Sequence, residues 1–296
     1  MKILVSGDWH LKVTKPENRT DDFFETQDKK LTWLLEKAVE EKCSYILQPG
    51  DLYDSFKIPH SLERYVIQKL RKYKIKVLTV FGQHDLRYHS SDKMNTPLAV
   101  LEAAKVVRII RNEEEQIADN IYIYGVSWGE DIPEILSNKH TNILLMHKMV
   151  IDQKEGWEKE GVGVQDLFKN NFDLMVTGDN HKGFAFSNKE QHLINCGSLL
   201  RSNIDQEKHE PYVYIYNSDD HTIKGFPIPI RPFKSIMNIK GAEKEKKENE
   251  ELGALIKGLK SDAKLTGLDF KKNLDEYVRS SKLGKGIIGI LNEIMA

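Results

Sequence analysis

From Met1 to about Arg231, short runs of Val, Ile, Leu and Tyr alternate with longer stretches whose apolar residues return every third or fourth position. The short runs predict ten strands: Lys2–Ser6, Tyr45–Gln48, Lys76–Phe81, Val106–Ile110, Ile121–Val126, Ile143–Met146, Leu174–Thr177, His192–Asn195, Tyr212–Tyr216 and Thr222–Pro227. Leu31, Leu34, Leu35, Ala38 and Val39 recur at helical spacing, as do Leu62, Tyr65, Val66, Lys69 and Leu70 with a snorkelling lysine, so helices separate the early strands. Alternating strands and helices define an α/β chain, and ten strands predict a large or doubled sheet. No internal repeat is visible.

The pattern changes after Pro232. Gly241–Glu251 is a run of charge, followed by three short amphipathic stripes: Leu252/Leu255/Ile256/Leu259, Phe270/Leu274/Tyr277/Val278 and Ile287/Ile290/Leu291/Ile294. The expected organisation is a main domain over residues 1–232 and a small helical segment over 233–296. The stripes must be buried somewhere, in a small bundle or against a partner.

Composition narrows the class. Of 296 residues, 40% are hydrophobic and 30% charged, too apolar for a disordered chain and too interrupted by charge for a membrane protein. No run approaches the roughly 18 apolar residues of a membrane span or resembles a signal peptide, so no membrane partner and a cytoplasmic location are expected. Lys and Arg total 44 against 45 Asp and Glu, so any attraction to nucleic acid must come from a local patch. Two cysteines, Cys43 and Cys196, make neither a disulfide framework nor a cysteine-rich metal site and read as small buried residues.

Candidate chemistry collects where several predicted strands end. After the first comes Gly7-Asp8-Trp9-His10, after the second Gly50-Asp51-Leu52-Tyr53-Asp54, after the third Gly82-Gln83-His84-Asp85, and later Met146-His147 and Gly178-Asp179-Asn180-His181. In open α/β sheets ligands bind at the carboxyl ends of strands. One such Asp or His is most often a cap. Five together would strand buried carboxylates and imidazoles without compensation unless cations join them. At least six oxygen and nitrogen ligands, without thiolate, exceed one tetrahedral ion and favour two metals sharing a carboxylate.

The ordered series Asp8-x-His10, Gly50-Asp51-x-x-Asp54, Gly82-Gln83-His84-Asp85, His147 and Gly178-Asp179-x-His181 resembles the signature of the calcineurin-like metallophosphoesterases, DxH, GDxxD, GNHD, H and GHxH. It spans most of the first 180 residues. Gly50–Ser55 with Ile58-Pro59, the Gly82–Asp85 motif and Asn195–Arg201 resemble the SbcD branch, the nuclease subunits of break-repair complexes, phage recombination nucleases included.

The resemblance implies a β-sandwich flanked by helices in α-β-β-α layers. It implies that Asp8, His10, Asp51 and His181 hold one divalent ion and that Asp51, Gln83, His147 and Asp179 hold a second, with Asp51 bridging. A hydroxide would attack phosphorus in line, and His84 would steady the phosphoryl oxygens or protonate the leaving oxygen. The two ions are expected to be Mn²⁺, with Mg²⁺ the alternative. Gln83 replaces the family asparagine and Asp179 a histidine, adding one methylene and one negative charge at the second site, which favours hard ions and weakens or alters that site.

Other residues carry less. Asp54 orients a ligand or caps a helix; Asp85 holds its loop; Arg87 and Tyr88 line a substrate groove or a solvated loop; Arg201 meets a phosphate backbone or an ordinary ion pair. Trp9 reads as core. The expected function is two-metal cleavage of DNA, exonucleolytic and endonucleolytic, by the nuclease subunit of an SbcCD-like recombination and repair complex. Its partners would be DNA, an SbcC-type coiled-coil ATPase docking on the C-terminal helices, and a second copy in a homodimer, in bacterial cytoplasm or a phage-infected host cell. The rivals are a small-molecule phosphodiesterase or protein phosphatase of the same superfamily and a non-catalytic scaffold of a repair complex.

Overall fold

The computed structural model describes residues 1–87, 93–135, 139–151 and 161–241. The chain divides into two units, Met1–Phe233 and Lys234–Ala296. The three C-terminal amphipathic stripes and Tyr88 lie outside the described residues.

Strands and helices are numbered in chain order. One sheet contains β1 (Lys2–Val5), β2 (Tyr45–Gln48), β3 (Lys76–Thr79), β4 (Val107–Ile109), β13 (Tyr212–Asn217) and β14 (Thr222–Pro227). Its spatial order is β14-β13-β1-β2-β3-β4. β1 to β4 run parallel, and β13 and β14 add an antiparallel edge. The other sheet contains β5 (Glu115–Ala118), β6 (Ile121–Val126), β7 (Thr141–Met146), β10 (Leu174–Thr177), β11 (Phe184–Asn188) and β12 (Gln191–Asn195). Its order is β11-β12-β10-β7-β6-β5, parallel at the centre with an antiparallel strand on each edge. A short pair, β8 (Val150–Ile151) and β9 (Val162–Gly163), stands apart.

The period-two alternation of side chains builds the layers. Ile3, Val5, Leu47, Leu78 and Val80 of the first sheet meet Ile143, Leu145, Leu174, Val176 and Ile194 of the second in one buried cluster. The residues between them point outward: Leu4, Ile46 and Val77 pack under α1 (Phe23–Glu40), α2 (His60–Tyr73) and α3 (Pro97–Ala103). On the far side Leu144, Met175 and Leu193 cluster with Phe172 and with Val164 and Leu167 of α4 (Val164–Leu167). The architecture is therefore α-β-β-α. All ten expected strands form, with ends shifted by at most two residues.

Some details differ from the sequence pattern. Val39 is 51% exposed, because Phe23, Gln27, Lys30, Leu31, Leu34, Leu35 and Ala38 already fill the inward face of α1. Cys43 is only half-buried. Lys69 does more than snorkel: it and the Tyr65 hydroxyl both reach the Asp28 carboxylate of α1 at 2.6 Å, tying α2 to α1. No helix among the described residues is long and apolar enough to cross a membrane.

Candidate metal centre

The loops that leave β1, β2 and β3 at their carboxyl ends lie beside those that leave β7, β10 and β12 of the other sheet. Asp8 shows how the two are joined. Its backbone N–H donates to the Gly197 carbonyl at 3.2 Å, its carbonyl accepts from Leu199 at 2.8 Å, and its Oδ2 accepts from the Asp179 N–H at 3.0 Å. Close approach requires glycine at two points. A Cβ on Gly82 would sit 2.0 Å from Asp51 Oδ1, and one on Gly178 would sit 2.4 Å from Asp8 Oδ1.

The backbone is bent to aim these side chains. His10, Asp51 and Asp179 have φ of 45°, 49° and 73°. The left-handed region costs a non-glycine residue about 1–2 kcal/mol and persists where function demands it.

The Nε2 atoms of His10 and His181 are 3.0 Å apart, with Asp51 Oδ2 3.7 Å from His10 and Asp8 Oδ2 4.0 Å from His181. His147 Nε2 is 3.4 Å from Asp51 Oδ2. Its Nδ1 meets the Pro49 carbonyl at 2.7 Å, and because a carbonyl only accepts, that nitrogen carries a proton and Nε2 is the ring nitrogen that faces Asp51. His84 follows the same logic: Nδ1 donates to the Asp54 carbonyl at 2.9 Å, which leaves Nε2 as the ring nitrogen not committed to that carbonyl. Gln83 donates its amide to Asp179 Oδ1 at 3.2 Å; a half-turn of that amide presents its oxygen instead.

Charge is held tensely. Burial lifts the Asp8 carboxyl well above the usual carboxylate range, although His147 opposes it. Burial acts the same way on Asp51, but His147 beside it wins and brings it below that range. Burial lowers the His10 imidazole to about 3, against the pull of Asp51. His147 moves upward because Asp51 outweighs the burial of its charge.

On the candidate ligands, four buried atoms have no hydrogen-bond partner: Asp8 Oδ1, His10 Nδ1, Asp51 Oδ2 and His147 Nε2. Orphaned buried acceptors cost about 1–3 kcal/mol each unless something else satisfies them. Two sets close to within 4.8 Å, Asp8/His10/His181 and His10/Asp51/His84. The donor set, carboxylate oxygen and imidazole nitrogen without sulfur, fits divalent cations of the Mn²⁺ or Zn²⁺ type.

The remaining candidates take supporting places. Asp85, buried, accepts from Gly82 N–H at 3.0 Å, Tyr53 at 3.2 Å and Leu52 at 3.4 Å, clamping the β2 and β3 loops together. Its carboxyl is raised to about 7 by burial and by Asp51. Asp54 Oδ1 lies 3.6 Å from His10 Nδ1 and takes Lys12 Nζ at 3.0 Å, a partner that no motif indicated. Arg87 is exposed at the end of the β3 loop. Arg201 is buried, stacked on Phe233 and bonded to the Arg231 carbonyl, so its guanidinium braces the loop after β12. Trp9 is core, its indole donating to Ser6 Oγ at 3.1 Å.

The model of the calcineurin-like phosphoesterases matches residues 1–183, the stretch that carries all five strand-end motifs. The chain belongs to the calcineurin-like phosphoesterase family. Members are metal-dependent hydrolases of phosphoesters with a dinuclear centre, and Asp8, His10, Asp51 and His181 offer candidate ligand groups for one. The phosphoesterase is also 23% identical over 218 residues to the DNA double-strand break repair protein Mre11 of Sulfolobus acidocaldarius, covering 68% of this chain and 53% of that one. The chain thus spans about half the length of this relative. Among solved structures it is similar to TT1561 of Thermus thermophilus, with a TM-score of 0.51 at 13% identity over 77% of this chain and 99% of the other. A dimetal phosphatase from Danio rerio aligns with a TM-score of 0.47 at 11% identity, over 78% and 99% of the two chains.

Proposed function

We propose that this phosphoesterase is a two-metal phosphodiesterase that cleaves DNA, the nuclease component of a recombination and repair complex. The observation that carries the metal chemistry is the closure of Asp8, His10 and His181, and of His10, Asp51 and His84, to within 4.8 Å of one another, with Asp8 Oδ1, Asp51 Oδ2 and His147 Nε2 buried and without a hydrogen-bond partner. The preference for DNA is supported by the similarity to a break-repair protein over 218 residues.

In this reading Asp8, His10, Asp51 and His181 hold one ion, and Asp51, Gln83, His147 and Asp179 the other. The ions, Mn²⁺ by the hardness of three carboxylates, neutralise phosphate charge and supply an activated water. The chain's own residues do the rest. Pro49 and Asp54 fix the tautomers of His147 and His84 through their carbonyls. His84, whose Nδ1 is committed to Asp54, delivers a proton from Nε2 to the departing oxygen. Asp85 keeps the loops that carry Asp51 and His84 at a fixed spacing. Residues 233–296 serve in this reading as the docking segment for a coiled-coil ATPase of the SbcC type, and the working assembly is a homodimer.

The test is hydrolysis of end-labelled single-stranded and duplex DNA with Mn²⁺, Mg²⁺ or EDTA, alongside a generic phosphodiester. Mn²⁺-dependent DNA cleavage that His84→Ala abolishes supports the proposal. Turnover of the small diester alone overturns the DNA reading and leaves the small-molecule phosphodiesterase, and no turnover of any substrate overturns catalysis in favour of a scaffold.

A further inference from the structure

A cleft of about 620 Å³ begins at the two residues that follow His181 in the chain, and none of the five motifs contributes its floor. Its near wall is Lys182 and Gly183, which follow the candidate ligand His181 in the chain. That wall is fixed in place: a Cβ on Gly197 would lie 2.6 Å from the His181 carbonyl and 2.8 Å from the Gly183 nitrogen. The floor is the edge of the first sheet, where Tyr212 and Tyr214 stand two residues apart on β13 and so share one face.

The two rings are stacked, 6.0 Å between centroids and 27° between planes, and both are half-buried. Tyr214 pairs across the ladder with Gly225 of β14. A Cβ there would come within 2.9 Å of the Tyr214 ring and 3.5 Å of the Tyr212 ring, so the glycine leaves room for both. The rim is mixed in charge: Lys182 and Lys208 face Asp205, Glu207 and Glu210. Three carboxylates against two lysines repel a phosphate track. A neutral, flat heterocycle whose amino groups donate to carboxylates suits both floor and rim.

We infer that this cleft is a nucleobase subsite, in which the base next to the scissile phosphate, on the His181 side, stacks on Tyr212 and Tyr214. The inference rests on the nucleic-acid reading above and narrows it. A base paired in a duplex cannot present its face to a tyrosine, so the strand enters as an unpaired or frayed end. The volume lies within the range of small-ligand sites, which accommodates one nucleoside. The metal centre would hold the phosphate, and the tyrosines would set where along the strand it is held.

The test uses Mn²⁺-loaded full-length protein and a single-stranded oligonucleotide, intact or with one abasic residue moved along it. Stacking on an aromatic side chain contributes about 1–3 kcal/mol per base, so one abasic position beside the cut is expected to lower kcat/KM by about 5- to 150-fold. Tyr212→Leu and Tyr214→Leu should lower kcat/KM for the intact strand by a similar factor through KM, leave turnover of that abasic strand unchanged, and so erase the abasic penalty. Tyr212→Phe, which keeps the ring, should behave as wild type. Unchanged turnover of the abasic strand also shows that the Leu variants are folded. An abasic penalty that survives in both Leu variants overturns the subsite while leaving the nuclease reading intact. If the wild type cleaves no oligonucleotide, the nuclease reading fails, and binding of dAMP decides the cleft separately: tighter binding to wild type than to the Leu variants supports it, and equal binding overturns it.

Discussion

The carboxylate of Asp8, on the loop after β1, accepts the backbone N–H of Asp179, on the loop after β10, at 3.0 Å. One oxygen of a candidate ligand thus positions another candidate ligand from the opposite sheet, while its second oxygen is left without a partner. Asp8→Asn keeps an acceptor for Asp179 but loses the charge. The variant is expected to fold with near-normal thermal stability in EDTA and to lose metal affinity by at least the ~10- to 100-fold that follows when even an outer-shell partner is disturbed. Titration calorimetry with Mn²⁺ checks this.

His84 separates two roles by measurement. It falls within ligand distance of His10 and Asp51, yet its Nδ1 is anchored on the Asp54 carbonyl as a proton donor's would be. His84→Ala is expected to lower kcat by about 10²–10⁴ with Mn²⁺ affinity unchanged. A matching loss of affinity in calorimetry would make His84 a ligand instead.

Gly82→Ala places a methyl 2.0 Å from Asp51 Oδ1 and 2.4 Å from the Asp51 backbone nitrogen. The carboxylate must swing off, so this single carbon is expected to abolish metal-dependent turnover. Circular dichroism of the variant should still show the wild-type fold.

Asp85→Ala removes the acceptor for three backbone N–H groups in a buried turn. A loss of about 1–3 kcal/mol is expected in urea unfolding. Asp85→Asn, which keeps an oxygen for at least one of them, should lose less.

Lys30 gives the stability a pH signature remote from the ligands. Its amine is buried against the Leu199 carbonyl at 2.8 Å, and burial, with Arg201 and Arg19 nearby, brings it down to about 7 from 10.5. Between those values the unfolded chain holds a proton that the folded one does not, so raising the pH favours folding. The penalty is full below pH 7 and relieved toward pH 10.5. Relative to Lys30→Met, wild type should gain about 1.4 kcal/mol per pH unit above 7, read from paired urea titrations.

The sequence made the central strands and the loops that carry the candidate ligands legible because the buried strands read as short apolar runs, many of them followed by Gly, Asp or His. It did not reveal β5 and β11, edge strands in which Glu115, Gln116, Ser187 and Asn188 interrupt the apolar run. Nor did it reveal what works through the backbone. The Pro49 and Asp54 carbonyls that set two histidine tautomers have no side-chain signature, and the Tyr212–Tyr214 floor became a site only once β13 was seen to lie beside the loop that carries His181. An arginine suits a phosphate or an ion pair equally well, and the place of Arg201 against Phe233 comes from a contact 32 residues along the chain.

Asp8, His10, Asp51, Gln83 and His84 hang from one sheet, and His147, Asp179 and His181 from the other. A slide of one sheet over the other by a fraction of an ångström would pull the two halves of the centre out of alignment while leaving every strand paired. The apolar seam between the sheets, where Val5 and Leu47 meet Leu145 and Val176, is therefore also the calibration of the candidate centre. Repacking it would be felt as drift between the two groups of candidate ligands long before it was felt as unfolding.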